Sequence, residues 1–236
     1  MITFLGGVSS CAEKAPWNVL IERKDSRRRR QSVEPISVLC GGSLVTQSHV
    51  LTAAHCVWAN RGRARTCREP WLSMTPEDCA RSRCPRECLR TSPDQLRVHL
   101  GVSDRTEAGA EAVSVAVRRI ILHPGWDKVQ PLNNITQGHD LALLELDTPV
   151  KFRFHSTKVL LSYTSSVSDT VWPICLPTKG DAPLLTTDME VQVFGFGVRE
   201  IRGADRSYAE ILNETPLNIS DHEYCRSLVS SIFKSL

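Results

Sequence analysis

The chain has 236 residues and 41% of them are hydrophobic, enough to bury a sizeable core and too many for a wholly disordered protein. A formal net charge of +3 argues against nucleic acid as a partner, and no apolar run is long enough to span a membrane. Nine cysteines and three Asn-X-Ser/Thr sequons, at Asn134, Asn213 and Asn218, point to an oxidising, secretory context.

The start, Met1 to Val8, is apolar but short and has no basic stretch ahead of it, so it does not read as an entry signal. A secreted chain needs one, and the amino end is therefore expected to be incomplete. Short apolar runs separated by turn residues follow, with little helical periodicity. Val38-Leu39, Ser43 to Val45, His49 to Leu51 and Leu96 to Leu100 read as strands. So do Val113 to Val117, Arg119 to Leu122, Leu141 to Leu146, Val191 to Phe194 and Ala209 to Pro216. The pattern is all-β and favours a barrel or sandwich. One helix is expected at Ser220 to Cys225, where Ser220 and Glu223 have capping-box spacing.

Two stretches break the strand pattern and read as surface loops. Glu22 to Gln31 has Arg27 to Arg30 at its centre, a run read as a solvated loop in preference to a processing or docking site. Ala59 to Pro93 is long for a structureless loop, so it is expected to be stapled or functional. Between Arg61 and Arg90 it holds eight arginines against four acids. It also holds Cys67, Cys79, Cys84 and Cys88, which allow three pairings. Their irregular spacing favours disulfides over zinc. Such a basic staple either binds an acidic partner or has no role.

The chemistry rests on Leu51-Thr52-Ala53-Ala54-His55-Cys56, preceded by Cys40-Gly41-Gly42-Ser43-Leu44, and on Asp140-Leu141-Ala142-Leu143-Leu144. A histidine takes the proton from an attacking hydroxyl, and a carboxylate fixes its tautomer. Phe4-Leu5-Gly6-Gly7 followed by Pro16-Trp17, Val98-His99-Leu100-Gly101 and Ile120-Ile121-Leu122-His123-Pro124 come in the matching order. Val171-Trp172-Pro173-Ile174-Cys175-Leu176-Pro177 and Val193-Phe194-Gly195-Phe196-Gly197 complete the series. With these strings the chain resembles the trypsin and chymotrypsin family of serine proteases over most of its length.

The resemblance implies a chymotrypsin-like pair of antiparallel β-barrels over residues 1–236. The first barrel would span 4–170 with the insertion at 59–93. The linker and the start of an incomplete second barrel would span 171–236. It implies His55 as general base, Asp140 as its orienting carboxylate, and a disulfide between Cys40 and Cys56. Protein or peptide substrates and a secreted location follow, with no cofactor and no metal. His123 is read as structural, and His49, His99, His139, His155 and His222 carry no motif.

The chain also departs from the family. The Gly-Asp-Ser-Gly-Gly string of the nucleophile is absent, and Ser227, Ser230, Ser231 and Ser235 lack its setting. The backbone amides of the oxyanion hole belong to the same string. Thr3 precedes Phe4 where activation cleavage would follow a basic residue. His55 and Asp140 are 85 residues apart, longer than usual, and the excess lies in the insertion. Cys11, Cys175 and Cys225 are left without an assigned mate.

Three readings follow: an incomplete secreted endopeptidase, inactive alone; a non-catalytic homologue acting as a secreted binding module; or an aberrant splice product. Asn134, in the polar stretch Gln130 to Gly138, is the first expected glycosylation site. Asn213 and Asn218, an odd number of positions apart where a strand is expected, should face opposite ways.

Overall fold

The computed structural model describes residues 8–24, 38–58, 91–106, 112–126, 139–152, 171–178, 186–202, 205–225 and 227. It divides into two compact units, Ala12–Ile174 and Met1–Cys11 with Cys175–Leu236.

In the larger unit six antiparallel strands form a closed barrel. They are β2 (Asn18–Arg23), β3 (Val38–Thr46), β4 (His49–Thr52), β5 (Leu96–Leu100), β6 (Val113–Leu122) and β7 (Ala142–Leu146). Their order around the barrel is β2-β3-β4-β7-β6-β5. β2 closes the ring, pairing Ile21 with Cys40 of β3 on one edge and with Val98 of β5 on the other. Closure leaves no strand edge open.

Alternation fills the interior. Successive strand residues point to opposite faces, so apolar residues two apart share one face. Leu96, Val98 and Leu100 of β5 meet Ala142, Leu144 and Leu146 of β7 in one core with Val19, Ile21, Leu44, Val50, Val115 and Val117. Gly42 is dictated by a close approach. A Cβ there would lie 2.9 Å from both the Leu51 carbonyl oxygen and Val50 Cγ1.

Several strands differ from their sequence outlines. Val38-Leu39 and Ser43 to Val45 are one strand, β3, running through Cys40-Gly41-Gly42. Val113 to Val117 and Arg119 to Leu122 are likewise one strand, β6, with a register shift between Val117 and Arg119. An extra residue at a bulge breaks the alternation. Arg118 and Arg119 are accordingly both exposed, and both reach Glu145 of β7, at 3.5 and 2.6 Å. β2 has no signature of alternation because Leu20, between inward-facing Val19 and Ile21, is buried as well.

The smaller unit contains β1 (Val8–Ser9), β8 (Glu190–Gly195) and β11 (Asn213–Asn218) in the order β1-β11-β8. A separate hairpin pairs β9 (Val198–Arg202) with β10 (Asp205–Tyr208). Among the described residues this unit therefore holds two open sheets, and the closed barrel belongs to the larger one. Pairing, and not chain order, decides membership. Val8 and Ser9 pair with Glu214 and Asn213, and Ser10 Oγ donates to Glu214 Oε2 at 2.8 Å. Residues 171–174 belong with the barrel instead, where Ile174 N–H donates to the Leu44 carbonyl at 2.8 Å. β11 runs through Pro216, which pairs with Gln192 of β8.

The helix expected after Ser220 covers, among the described residues, 222–225 and 227. Its cap is Asp221, one residue later than expected, whose Oδ1 accepts the Tyr224 N–H at 2.9 Å. An N-cap side chain bonds the amide three residues on, so the first helical residue selects Asp221 over Ser220.

Leu144→Ala should lower stability by about 2–5 kcal/mol, the usual cost of a large-to-small change in a closed core. Ile121→Ala, on the same sheet but partly exposed, should cost far less. Urea denaturation of the two variants checks the difference, and equal losses would mean that the barrel core does not carry the fold.

Candidate active site

His55 follows β4 and Asp140 precedes β7. These two strands are neighbours, with Thr52 paired to Ala142. That register brings residues 85 apart in sequence into contact. His55 opens a single helical turn, α1 (His55–Trp58), anchored by Ala54 and Val57 in the barrel core. Its neighbour Cys56 is bonded to Cys40 of β3. Closing a loop of this size removes chain entropy worth about 3 kcal/mol. Thr52 Oγ1 donates to the Gly41 carbonyl at 2.8 Å and ties the same two strands.

Asp140 grips His55 with both carboxylate oxygens. Oδ2 lies 2.7 Å from His55 Nδ1, and Oδ1 accepts the His55 backbone N–H at 2.8 Å. A carboxylate only accepts, so Nδ1 carries the hydrogen and Nε2 keeps its lone pair. Nε2 lies 3.6 Å from the Cys56 sulfur, a weak acceptor that leaves it available. The His55 side chain is 46% exposed and that of Asp140 23%, so the pair is open to solvent on the imidazole side. The arrangement can hold one tautomer and receive a proton at Nε2.

The backbone around Asp140 is held by His139, Gly125 and His123, of which only His123 lies in one of the family strings. His139 has a φ of 62°, the left-handed region, which costs a residue with a side chain about 1–2 kcal/mol. Its carbonyl accepts the Leu141 N–H at 2.7 Å, closing a tight turn around Asp140. Its ring stacks on His123, with centroids 4.6 Å apart and planes 7° from parallel. His123 is itself fixed by the Gly125 N–H, which donates to Nδ1 at 3.0 Å. A Cβ on Gly125 would meet the His139 ring at 2.5 Å. No local pattern marks His139 or Gly125. Only the positive φ and the stack give their role.

The insertion's base is part of the same turn. Thr91 N–H donates to the Val57 carbonyl at 2.9 Å, so the chain leaves and re-enters beside α1. Its four cysteines lie outside the described residues, as do Arg27 to Arg30, Asn134, His155, Ser230, Ser231 and Ser235. Ser227 is described, and its hydroxyl donates to the Tyr224 carbonyl at 2.8 Å. Cys175 and Cys225 are exposed thiols, and Cys11 is half-buried. Among the described residues, Cys40, His55 and Cys56 alone group three metal-type ligand atoms, and the disulfide ties up both sulfurs. No helix among them is long and apolar enough to cross a membrane.

Asn213 is 3% exposed and its Nδ2 donates to the Ile211 carbonyl at 2.8 Å, whereas Asn218 is exposed at the end of β11. Protein made in a secretory host should therefore carry a glycan on Asn218 and none on Asn213. Site-resolved mass spectrometry decides this, and occupancy of Asn213 in folded chain would contradict the packing.

Gly125→Ala should push the His139 ring off His123 and destabilise the chain by about 1–3 kcal/mol, as overpacking does. The His55 Nδ1 proton should then exchange faster with solvent in NMR spectra. An unchanged exchange rate in the folded variant would show that the stack does not position Asp140.

The Trypsin family pattern matches residues 4–77 and 84–233. Coagulation factor XI of Bos taurus is 27% identical over 198 residues, 84% of this chain and 22% of that protein. Serine protease 7 of Drosophila melanogaster is 28% identical over 93% of the chain and 44% of its own length. The CLIP domain-containing serine protease B10 of Anopheles gambiae is 30% identical over 82% of the chain and 42% of its own length. The chain thus spans less than half of each of these relatives. With a closed six-stranded barrel, a second sheet and this match over nearly its whole length, the chain belongs to the trypsin family of serine proteases.

Proposed function

We propose that the chain carries the histidine–aspartate half of a secreted serine endopeptidase that cleaves peptide bonds by acyl transfer. The observation that supports this most is the two-oxygen grip of Asp140 on His55, at 2.7 and 2.8 Å, which leaves Nε2 free to accept a proton. His55 is the general base that deprotonates a serine and later protonates the leaving amine. Asp140 holds the tautomer and offsets the charge on the imidazolium. This reading requires a nucleophile and oxyanion amides that these residues do not supply, since no Gly-Asp-Ser-Gly-Gly string occurs in them. The chain of 236 residues by itself does not turn substrate over. The basic insertion, whose ends meet at Val57 and Thr91, borders the His55 turn and screens substrates or receives an acidic partner.

The purified chain should show no turnover of peptide esters. The product of the full reading frame should hydrolyse them. Asp140→Asn in that product should slow hydrolysis by about ten-thousandfold. His55→Ala should lower it at least as far. A full-length product that folds without hydrolysing any peptide ester would favour a non-catalytic homologue. Turnover by the purified chain alone would overturn its proposed inactivity.

A further inference from the structure

A second histidine on the barrel is held between an acid and a hydroxyl. β5 lies between β2 and β6, and on β5 His99 stands directly opposite Ser114 of β6. His99 points away from the barrel core yet is only 2% exposed. Its Nε2 lies 2.9 Å from Glu22 Oε2, and its Nδ1 lies 2.8 Å from Ser114 Oγ. The Glu22 carboxylate only accepts, so Nε2 carries the hydrogen. Nδ1 then offers a lone pair, and the Ser114 O–H donates into it. Ser114 itself is exposed.

A buried histidine needs partners at its nitrogens merely to be tolerated. Here one partner is the hydroxyl of an exposed residue, Ser114, on the outer face of the barrel. The order of groups, hydroxyl to imidazole to carboxylate, is the order of a general-base relay. It uses three residues from three adjacent strands and shares none with the His55–Asp140 pair.

We infer that Ser114 is a covalently reactive serine that accepts an acyl or phosphonyl group from an activated ester or fluoride, with His99 as its base. Ser114 Oγ attacks the electrophilic carbon or phosphorus and forms the new bond to it. The bond to the leaving group breaks, and its electron pair departs with that group. The Ser114 proton passes to His99 Nδ1, and Glu22 offsets the charge on the imidazolium. His99 then gives that proton to the leaving group or to water and returns to neutrality. The inference covers one covalent event per chain and stands whether or not His55 and Asp140 serve a protease.

The test uses the folded full chain and an alkyl fluorophosphonate probe, followed by tryptic digestion. The peptide 106–118 has Thr106 and Ser114 as its only hydroxyl residues, and fragment ions separate them. An adduct on Ser114 is expected, absent in Ser114→Ala. His99→Gln should slow its formation by about a hundredfold or more, the usual share of a general base. Glu22→Gln preserves the shape of the acid and removes its charge, and it should also slow the reaction. Chain unfolded in urea should label at the background rate of a free serine. Failure of the folded chain to form the Ser114 adduct would overturn the inference. Equal rates in the folded chain, the Glu22→Gln chain and the urea-unfolded chain would overturn it too, since Ser114 would then be an ordinary exposed hydroxyl.

Discussion

The larger unit depends on β2 being bonded along both of its edges. A six-residue strand that paired on one side only would leave an open sheet and half-covered apolar faces. With β3 on one edge and β5 on the other, the ring closes over Val19 and Ile21, and the core becomes inaccessible to water. Closure also fixes register all the way round. A shift by one residue would turn every side chain of a strand to the opposite face, so the buried face holds each strand in place.

The candidate site inherits its geometry from that register. Because Thr52 pairs with Ala142, the residues just after β4 and just before β7 meet, and these are His55 and Asp140. The disulfide to Cys40 and the bond from Thr91 to Val57 hold the helical turn from two sides. On the aspartate side the support is conformational. His139 accepts a left-handed backbone, and stacking on His123 over Gly125 offsets that strain. The placement of one carboxylate thus rests on backbone hydrogen bonds and on the ring stack of the residue before it.

His55 and His99 show how environment separates identical side chains. Each has one nitrogen bonded to a carboxylate, which selects the tautomer. His55 is nearly half exposed and its second nitrogen lies 3.6 Å from the Cys56 sulfur, whereas His99 is enclosed and its second nitrogen meets Ser114. Reactivity at the first would need a serine supplied from elsewhere. At the second the serine is already in place, on the neighbouring strand.

Local pattern carried much of this by itself. Alternating apolar residues at Leu96 to Leu100 and Ala142 to Leu146 mark strands, because a period of two has one physical meaning. The strings around His55 and Asp140 identify the family and hence the pair. Cys40 and Cys56 follow from the same likeness. Tertiary structure alone decided the rest. β2 is apolar on both faces, so no period announces it, and only its two neighbours make it a strand of the barrel. Val8 and Ser9 join the distant unit through pairing with β11, which no local composition encodes. His139, Gly125 and His99 read as ordinary residues, because a ring stack and a histidine–carboxylate contact are relations between segments far apart in the chain, and a positive φ is set by the fold around it. Asn213 and Asn218 each head a sequon of the same pattern, and which side chain is buried depends on the face each presents and on what packs against it.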